Sequence, residues 1–135
     1  MIKVICKRFP PSGYKAMTIW PIVFVRKGMA FAYRDVDANH EGIHGEQQLE
    51  LLTVGSIIAL VLAVVGCDFW SFLALPIFFY WYGLEYLIRW AVYRNRDKAY
   101  ENICFEREAY GNQHDMDYID RRDPFAWFKY LWTSN

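Results

Sequence analysis

The sequence predicts a mainly α membrane protein: a two-span transmembrane helical hairpin with further helices on its cytoplasmic side and a short β segment near the N-terminus. Its 135 residues make one modest domain, and at 55% hydrophobic and 19% aromatic they are more apolar than a soluble fold of that size requires. All fifteen Lys and Arg lie before Leu49 or after Ile88, and the forty residues between carry only three acids, Glu50, Asp68 and Glu85. Inside that gap, "LLTVGSIIALVLAVVGC" (51–67) and "FWSFLALPIFFYWYGL" (69–84) flank Asp68. Each is about the shortest helix that crosses a hydrocarbon core of roughly 30 Å.

The N-terminal segment, 1–36, begins "MIKVICKRFPP" without a long apolar run, so no signal peptide is expected. Within it "YKAMTIWPIVFVRKG" (14–28) is rich in β-branched and aromatic residues and predicts one or two short strands, with Pro21 confining the stretch to an edge or a bend. The stretch 20–25 would then offer a strand edge to an extended peptide. "YRDVDAN" supplies Asp37 or Asn39 as the cap of a helix over 37–67 that continues into the first span. Gly55, Ala59 and Ala63 form a small-residue row that lets the second helix, 69–94, approach closely, and Pro76 predicts a kink in that helix. "YRNRDK" breaks the chain, and helices fill 98–135: "AYENICFEREAYGNQ" is periodic up to Gly111, and "PFAWFKYLW" predicts a short last helix lying on the membrane surface.

Seven basic residues precede the hairpin, eight follow it and none lies in the "GCDFWS" turn, so both termini are expected in the cytoplasm. The zero net charge gives no case for a nucleic-acid partner; the expected partners are the lipid bilayer and a peptide or protein substrate. Cys6, Cys67 and Cys104 fall on separate segments without metal-type spacing and read as free thiols. A buried helical hairpin in a soluble protein is the competing reading, but so small a chain has little other mass to cover both helices.

Just before the first apolar run stands "NHEGIHGEQQ" (39–48). Helical residues four apart share a face, so His40 and His44 can direct their imidazoles at one ion while Glu41 reaches the water bound to it. This H-E-x-x-H arrangement suits one zinc ion per chain, with Glu41 taking the proton as that water attacks a carbonyl. The bland alternative is a pair of solvated helix-face histidines. A catalytic zinc needs a third protein ligand, and the candidates are Glu106, Glu108, Glu85 and His114. On a helical wheel Glu106 falls with Ala99, Ile103 and Tyr110 and faces inward, whereas Glu108 shares the polar side with Asp97 and Glu101. Glu85 reads as an i,i+4 ion pair with Arg89, and His114 as a surface residue of a polar loop. Tyr110 can donate its hydroxyl to Glu106 or to an oxyanion formed during attack, or simply pack.

"HEGIHGEQQ" followed by "FEREAY" resembles the gluzincin zinc metallopeptidases, whose H-E-x-x-H helix is completed by a glutamate in a downstream E-x-x-x-D pattern. Its two-glutamine ending is similar to the HExxHxxQQ of bacterial metallopeptidase-like domains. The whole chain, through "TIWPIVFVRK", "YWYGLEYLIRW", "FEREAYGN" and "DPFAWFKYLW", resembles a family of small bacterial integral membrane proteins, which implies architecture and a bacterial inner-membrane location but brings no activity with it. The gluzincin resemblance implies His40, His44 and Glu106 as ligands and Glu41 as general base. Tyr110 stands where that family has an aspartate that orients a ligand histidine, so this support is expected from Asp115, Asp117 or Asn39. The expected function is zinc-dependent peptide-bond hydrolysis; the alternative is a non-catalytic membrane protein stapled by a structural metal or an ion-pair network.

Overall fold

A computed structural model describes residues 1–132, with residues 68 and 69 described by backbone alone. The first strand, β1 (Ile2–Cys6), pairs in parallel with β3 (Ile22–Arg26), and β2 (Ala16–Ile19) pairs with β3 antiparallel, giving the order β1-β3-β2. Pro21 sits in the tight turn between β2 and β3, where its missing N–H costs the ladder nothing. The stretch 20–25 therefore offers no free edge: it is a turn followed by the central strand, covered on both sides. The edges belong to β1 and β2, and β2 packs against the long helix α1 (Asp35–Val64).

The helix begins two residues before the expected bound, with Arg34 as its N-cap; Asp37 is its third residue and accepts the Arg34 backbone N–H at 2.8 Å, closing the first turn. Asn39 does not cap; it lies inside the helix with its side chain on backbone carbonyls of Gln113 and Asp115. At 30 residues α1 is about 45 Å long. Its first half is polar yet buried from Asn39 through Gly45 and again at Gln47 and Gln48, while its second half is apolar yet exposed, Leu60 at 66% and Val64 at 78%. Among the described residues α1 is the one helix long and apolar enough to cross a membrane, and only 22% of its apolar window is buried, unlike the core helix of a soluble fold.

The second apolar run departs from the expected continuous 69–94 helix. It forms a single turn, α2 (Asp68–Ser71), a 3-10 turn at Phe72–Ala74, and then α3 (Ile77–Tyr93), 17 residues or about 25 Å long. Pro76 is the cause: it cannot supply a mid-helix N–H, and here it caps α3 where a kink was expected. The return path still runs along α1. Gly55 is where the two meet, since a Cβ there would stand 2.3 Å from the Ala74 carbonyl oxygen. The small residue predicted to admit a close neighbour admits the broken segment.

Arg94, left-handed at φ 53°, ends α3, and Asn95 starts α4 (Arg96–Glu101) by accepting the Lys98 N–H at 3.0 Å. A second break at Asn102 and Ile103 precedes α5 (Cys104–Asn112), which packs on α1 and on a 3-10 turn at Ala126–Tyr130; the short α6 (Tyr118–Arg121) lies between them in sequence. That last turn is not the membrane-surface helix expected of "PFAWFKYLW". Trp127 is 1% exposed, its ring 4.9 Å from Phe105 and 5.4 Å from Trp81, and it joins Leu51, Phe78, Ile103 and Cys104 in the core. Residues 133–135, the end of the expected 98–135 helical region, lie outside the described part. Cys6, Cys67 and Cys104 are free thiols.

Candidate metal centre

Three elements build the centre. The i,i+4 spacing on α1 stacks the imidazoles of His40 and His44, with their Nε2 atoms 3.2 Å apart. From α5, Glu106 closes the group, with Oε1 3.3 Å from His44 Nε2 and Oε2 3.5 Å from His40 Nε2. From α3, the Tyr82 hydroxyl donates to Glu106 Oε1 at 2.8 Å. The three ligand-type side chains are buried, with one ligand atom from each lying within 4.8 Å of the others.

Each histidine is held through its other nitrogen. His44 Nδ1 lies 2.8 Å from Gln47 Oε1, and the Gln47 amide nitrogen donates to Glu108 Oε2 at 2.9 Å and to the Phe105 carbonyl at 3.1 Å. Those two acceptors orient the amide, so Oε1 must receive the Nδ1–H of His44, and Nε2 is the nitrogen that can take an ion or a second proton. Gln113 Oε1 lies 3.2 Å from His40 Nδ1. The two Nε2 atoms then face each other across 3.2 Å, beside a carboxylate oxygen, Glu106 Oε2, that is buried and lacks a hydrogen-bond partner, a place for a cation or, in the ion-free chain, for the proton His44 holds. Such an arrangement is unfavourable without a positive charge between the groups. Two imidazole nitrogens and a carboxylate suit a divalent transition ion, zinc among them, better than magnesium or calcium.

The orienting groups are thus glutamines rather than the acids or Asn39 expected in their place. Asp115 instead pairs with Arg121, and Asp117 caps the same loop through its N–H. Gln47, three residues beyond His44, was legible in principle: the residue at i+3 on a ligand's own helix is within reach of its ring. Gln113, Tyr82 and Thr18 come from other elements and leave no local signal.

Glu41, a neighbour of His40 in sequence, accepts the Thr18 hydroxyl at 2.7 Å and is buried. Gln48 clamps the edge of β2 beside it, accepting Trp20 N–H at 2.8 Å and donating to the Thr18 carbonyl at 2.8 Å. Tyr110 sets its ring edge-on to His40 at 4.6 Å and is 44% exposed. Glu85 pairs with Arg89 at 3.0 Å and also accepts the Cys104 N–H, well away from the histidine pair in its bonding; His114 is exposed beyond α5. Glu108 does not lie on a polar side: it is fully buried against Arg122. The continuous wheel that put it there is broken at Asn102 and Ile103, so the phase of α4 does not carry into α5.

Burial by itself disfavours a charged His44, but Glu106 beside it, with help from Glu41 and Gln47, raises its pKa from 6.5 to about 9. Burial likewise pushes the Glu106 carboxyl up, and the two imidazoles overcome this and hold it well below its ordinary 4.5. A raised histidine contributes stability that is complete below 6.5 and lost as pH climbs through about 9; a lowered carboxyl contributes stability above 4.5 that is lost as pH falls. The chelator-treated chain should therefore be most stable between about pH 5 and 6.5, its melting temperature dropping on both sides. Circular-dichroism melts across pH check this; Glu106→Gln should abolish the alkaline drop.

Comparison with protein-family models, curated proteins and solved structures finds no match to the chain.

Proposed function

We propose that this chain is a zinc-dependent metallopeptidase of the bacterial inner membrane, with the centre just inside the cytoplasmic face. The observation that carries the reading is the convergence of the His40 and His44 Nε2 atoms with the buried Glu106 carboxylate, whose Oε2 lacks a hydrogen-bond partner, with Glu41 on the same helix. This is the ligand set of the gluzincin pattern in donor chemistry, and it fits zinc. A bound zinc ion would supply a Lewis acid and a water of lowered pKa. The chain's own residues do the rest. Glu41 accepts the proton of the attacking water and returns it to the leaving nitrogen; Thr18, donating to Glu41 Oε2, aims that carboxylate. Gln47 keeps the His44 imidazole in the ligating tautomer, and Gln113 lies against His40 Nδ1. Tyr110, against His40 and partly exposed, is placed to donate to the oxyanion.

Glu41→Gln separates this from the rival reading, a structural metal that only staples helices. In a peptidase the variant keeps about one zinc per chain and loses hydrolysis by about 100-fold or more, the upper part of what a general base contributes. In a stapled, non-catalytic protein it shifts the melting temperature alone. Elemental analysis alongside a casein or fluorogenic-peptide assay measures both.

For the membrane, we infer a two-span hairpin with both termini in the cytoplasm. The exposed apolar surfaces of α1 and α3 and the absence of Lys or Arg in the turn support it. Impermeant thiol labelling should reach Cys67 only from the far side, and single cysteines at either terminus only from the cytoplasm. Termini on opposite sides would sink the hairpin.

A further inference from the structure

Two cavities meet at His40 and Glu41, and they differ in chemistry. One, of about 320 Å³, is walled by Met17 of β2 and by Phe78, Phe79 and Tyr82 of α3, with His44 and Glu106 at its floor; no Lys, Arg or Asp lines it. Phe79 is 47% exposed, and α3 also exposes Leu84, Leu87 and Ile88 elsewhere on its circumference. The other, of about 850 Å³, is a cleft lined by Lys15, Asp37, Arg96, Asp97 and Glu101. Tyr14, His40, Glu41, Tyr86 and Tyr100 belong to both. Both volumes fall in the range of ligand pockets. The candidate metal centre thus sits at the boundary between an apolar chamber and a charged cleft.

We propose that the substrate is a membrane-anchored polypeptide, cut at an amide bond where an apolar stretch gives way to a charged one. This rests on the peptidase reading above. The apolar stretch would occupy the chamber from the side of α3, and the charged stretch would leave through the cleft, where acids and bases of both signs can pair with it. One water is consumed: its oxygen bonds to the carbonyl carbon, the C–N bond breaks, and the proton held by Glu41 passes to the nitrogen, releasing a carboxylate and an amine. A polypeptide is favoured over a lipid amide because the cleft is the larger of the two cavities and is lined along its length by charged groups. Each methylene added to the chamber's occupant should tighten binding about fourfold.

The test uses the zinc-loaded Glu41→Gln chain in lipid nanodiscs, so that binding is read without turnover. Two dansyl-labelled dodecapeptides of one composition serve as probes, one with a Leu/Ala block joined to a Lys/Glu/Ser block, the other with the same residues alternating. Energy transfer from tryptophan should show the block peptide binding at least about 10-fold tighter, since two or more chamber methylenes suffice for that. The preference should shrink in Phe79→Ser and in Met17→Ser, and the wild-type chain should cut the block peptide at its boundary by mass spectrometry. Equal binding of the two peptides, or a preference untouched by both variants, overturns the proposal. Preferential binding without any cleavage by the wild-type chain upholds the two-cavity occupancy and sinks the peptidase reading. Hydrolysis of N-palmitoylglycine in place of the block peptide overturns the assignment to a polypeptide.

Discussion

Glu106→Ala should strip the purified chain of its metal. The substitution removes the one carboxylate that closes the histidine pair and leaves two imidazole nitrogens 3.2 Å apart with no anion to balance a dication. Groups that only orient a ligand typically change metal affinity by about 10- to 100-fold, so loss of the ligand itself should exceed about 100-fold. Gln47→Ala provides the scale: it frees the His44 ring to rotate and to change tautomer but leaves every ligand in place, and should fall within that orienting range. Zinc retention against a chelator of graded affinity, measured in both variants, orders them. A Glu106→Ala chain that keeps zinc as tightly as the wild type would remove the centre as described. Without Glu106, His44 loses the partner that keeps it charged, and its pKa should fall from about 9 toward its ordinary value, a change visible by NMR titration.

The part of this centre that was legible in the sequence is the part encoded by one helix. The i,i+4 spacing of His40 and His44 and the adjacency of Glu41 are local facts, and local periodicity reads them. Glu106 was reached by a wheel whose continuity failed at Asn102 and Ile103. It faces inward, as the wheel had it, but so does Glu108, because a nine-residue helix wedged between α1 and the 126–130 turn buries most of its circumference. The second span was misread for a related reason. Composition sees a largely apolar stretch of sixteen residues, whereas Pro76 and the close approach of Ala74 to Gly55 decide where the helix can begin. Trp127 shows the limit of reading aromatics as membrane contacts, since a ring suited to an interface is equally suited to a core. The strand β1 went unseen because its pairing with β3 is parallel and non-local, so nothing near it in sequence signals a partner.

Arg122→Met should be the most destabilising single change outside the metal centre, at about 3–5 kcal/mol. Arg122 has 3% of its side chain exposed and lies between two acids, Glu50 of α1 and Glu108 of α5, bonding both. Glu50 also accepts the Phe125 N–H at 2.8 Å and the Trp127 indole at 3.2 Å, and Glu108 accepts the Tyr118 hydroxyl at 2.9 Å. These bonds join α1, α5, α6 and the 126–130 turn, which explains why the first acid of the apolar run, Glu50, is present there at all. Removing the guanidinium leaves the buried Glu108 and the partly buried Glu50 facing each other without a cation, and the cost is that of the uncompensated charges rather than of the bonds lost. Relieving the charge should therefore restore stability: Arg122→Met combined with Glu50→Gln and Glu108→Gln should recover more than half of the loss, in denaturant melts of the detergent-solubilised chain. The metal supplies a second readout. Glu108 orients the Gln47 amide that orients His44, so Glu108→Ala should lower zinc affinity by about 10-fold, whereas Glu50→Gln, with no bond to Gln47, should leave it unchanged. Equal zinc affinity in Glu108→Ala and wild type would show that the Phe105 carbonyl alone holds the Gln47 amide, and that the ion-pair cluster stabilises the fold without reaching the centre.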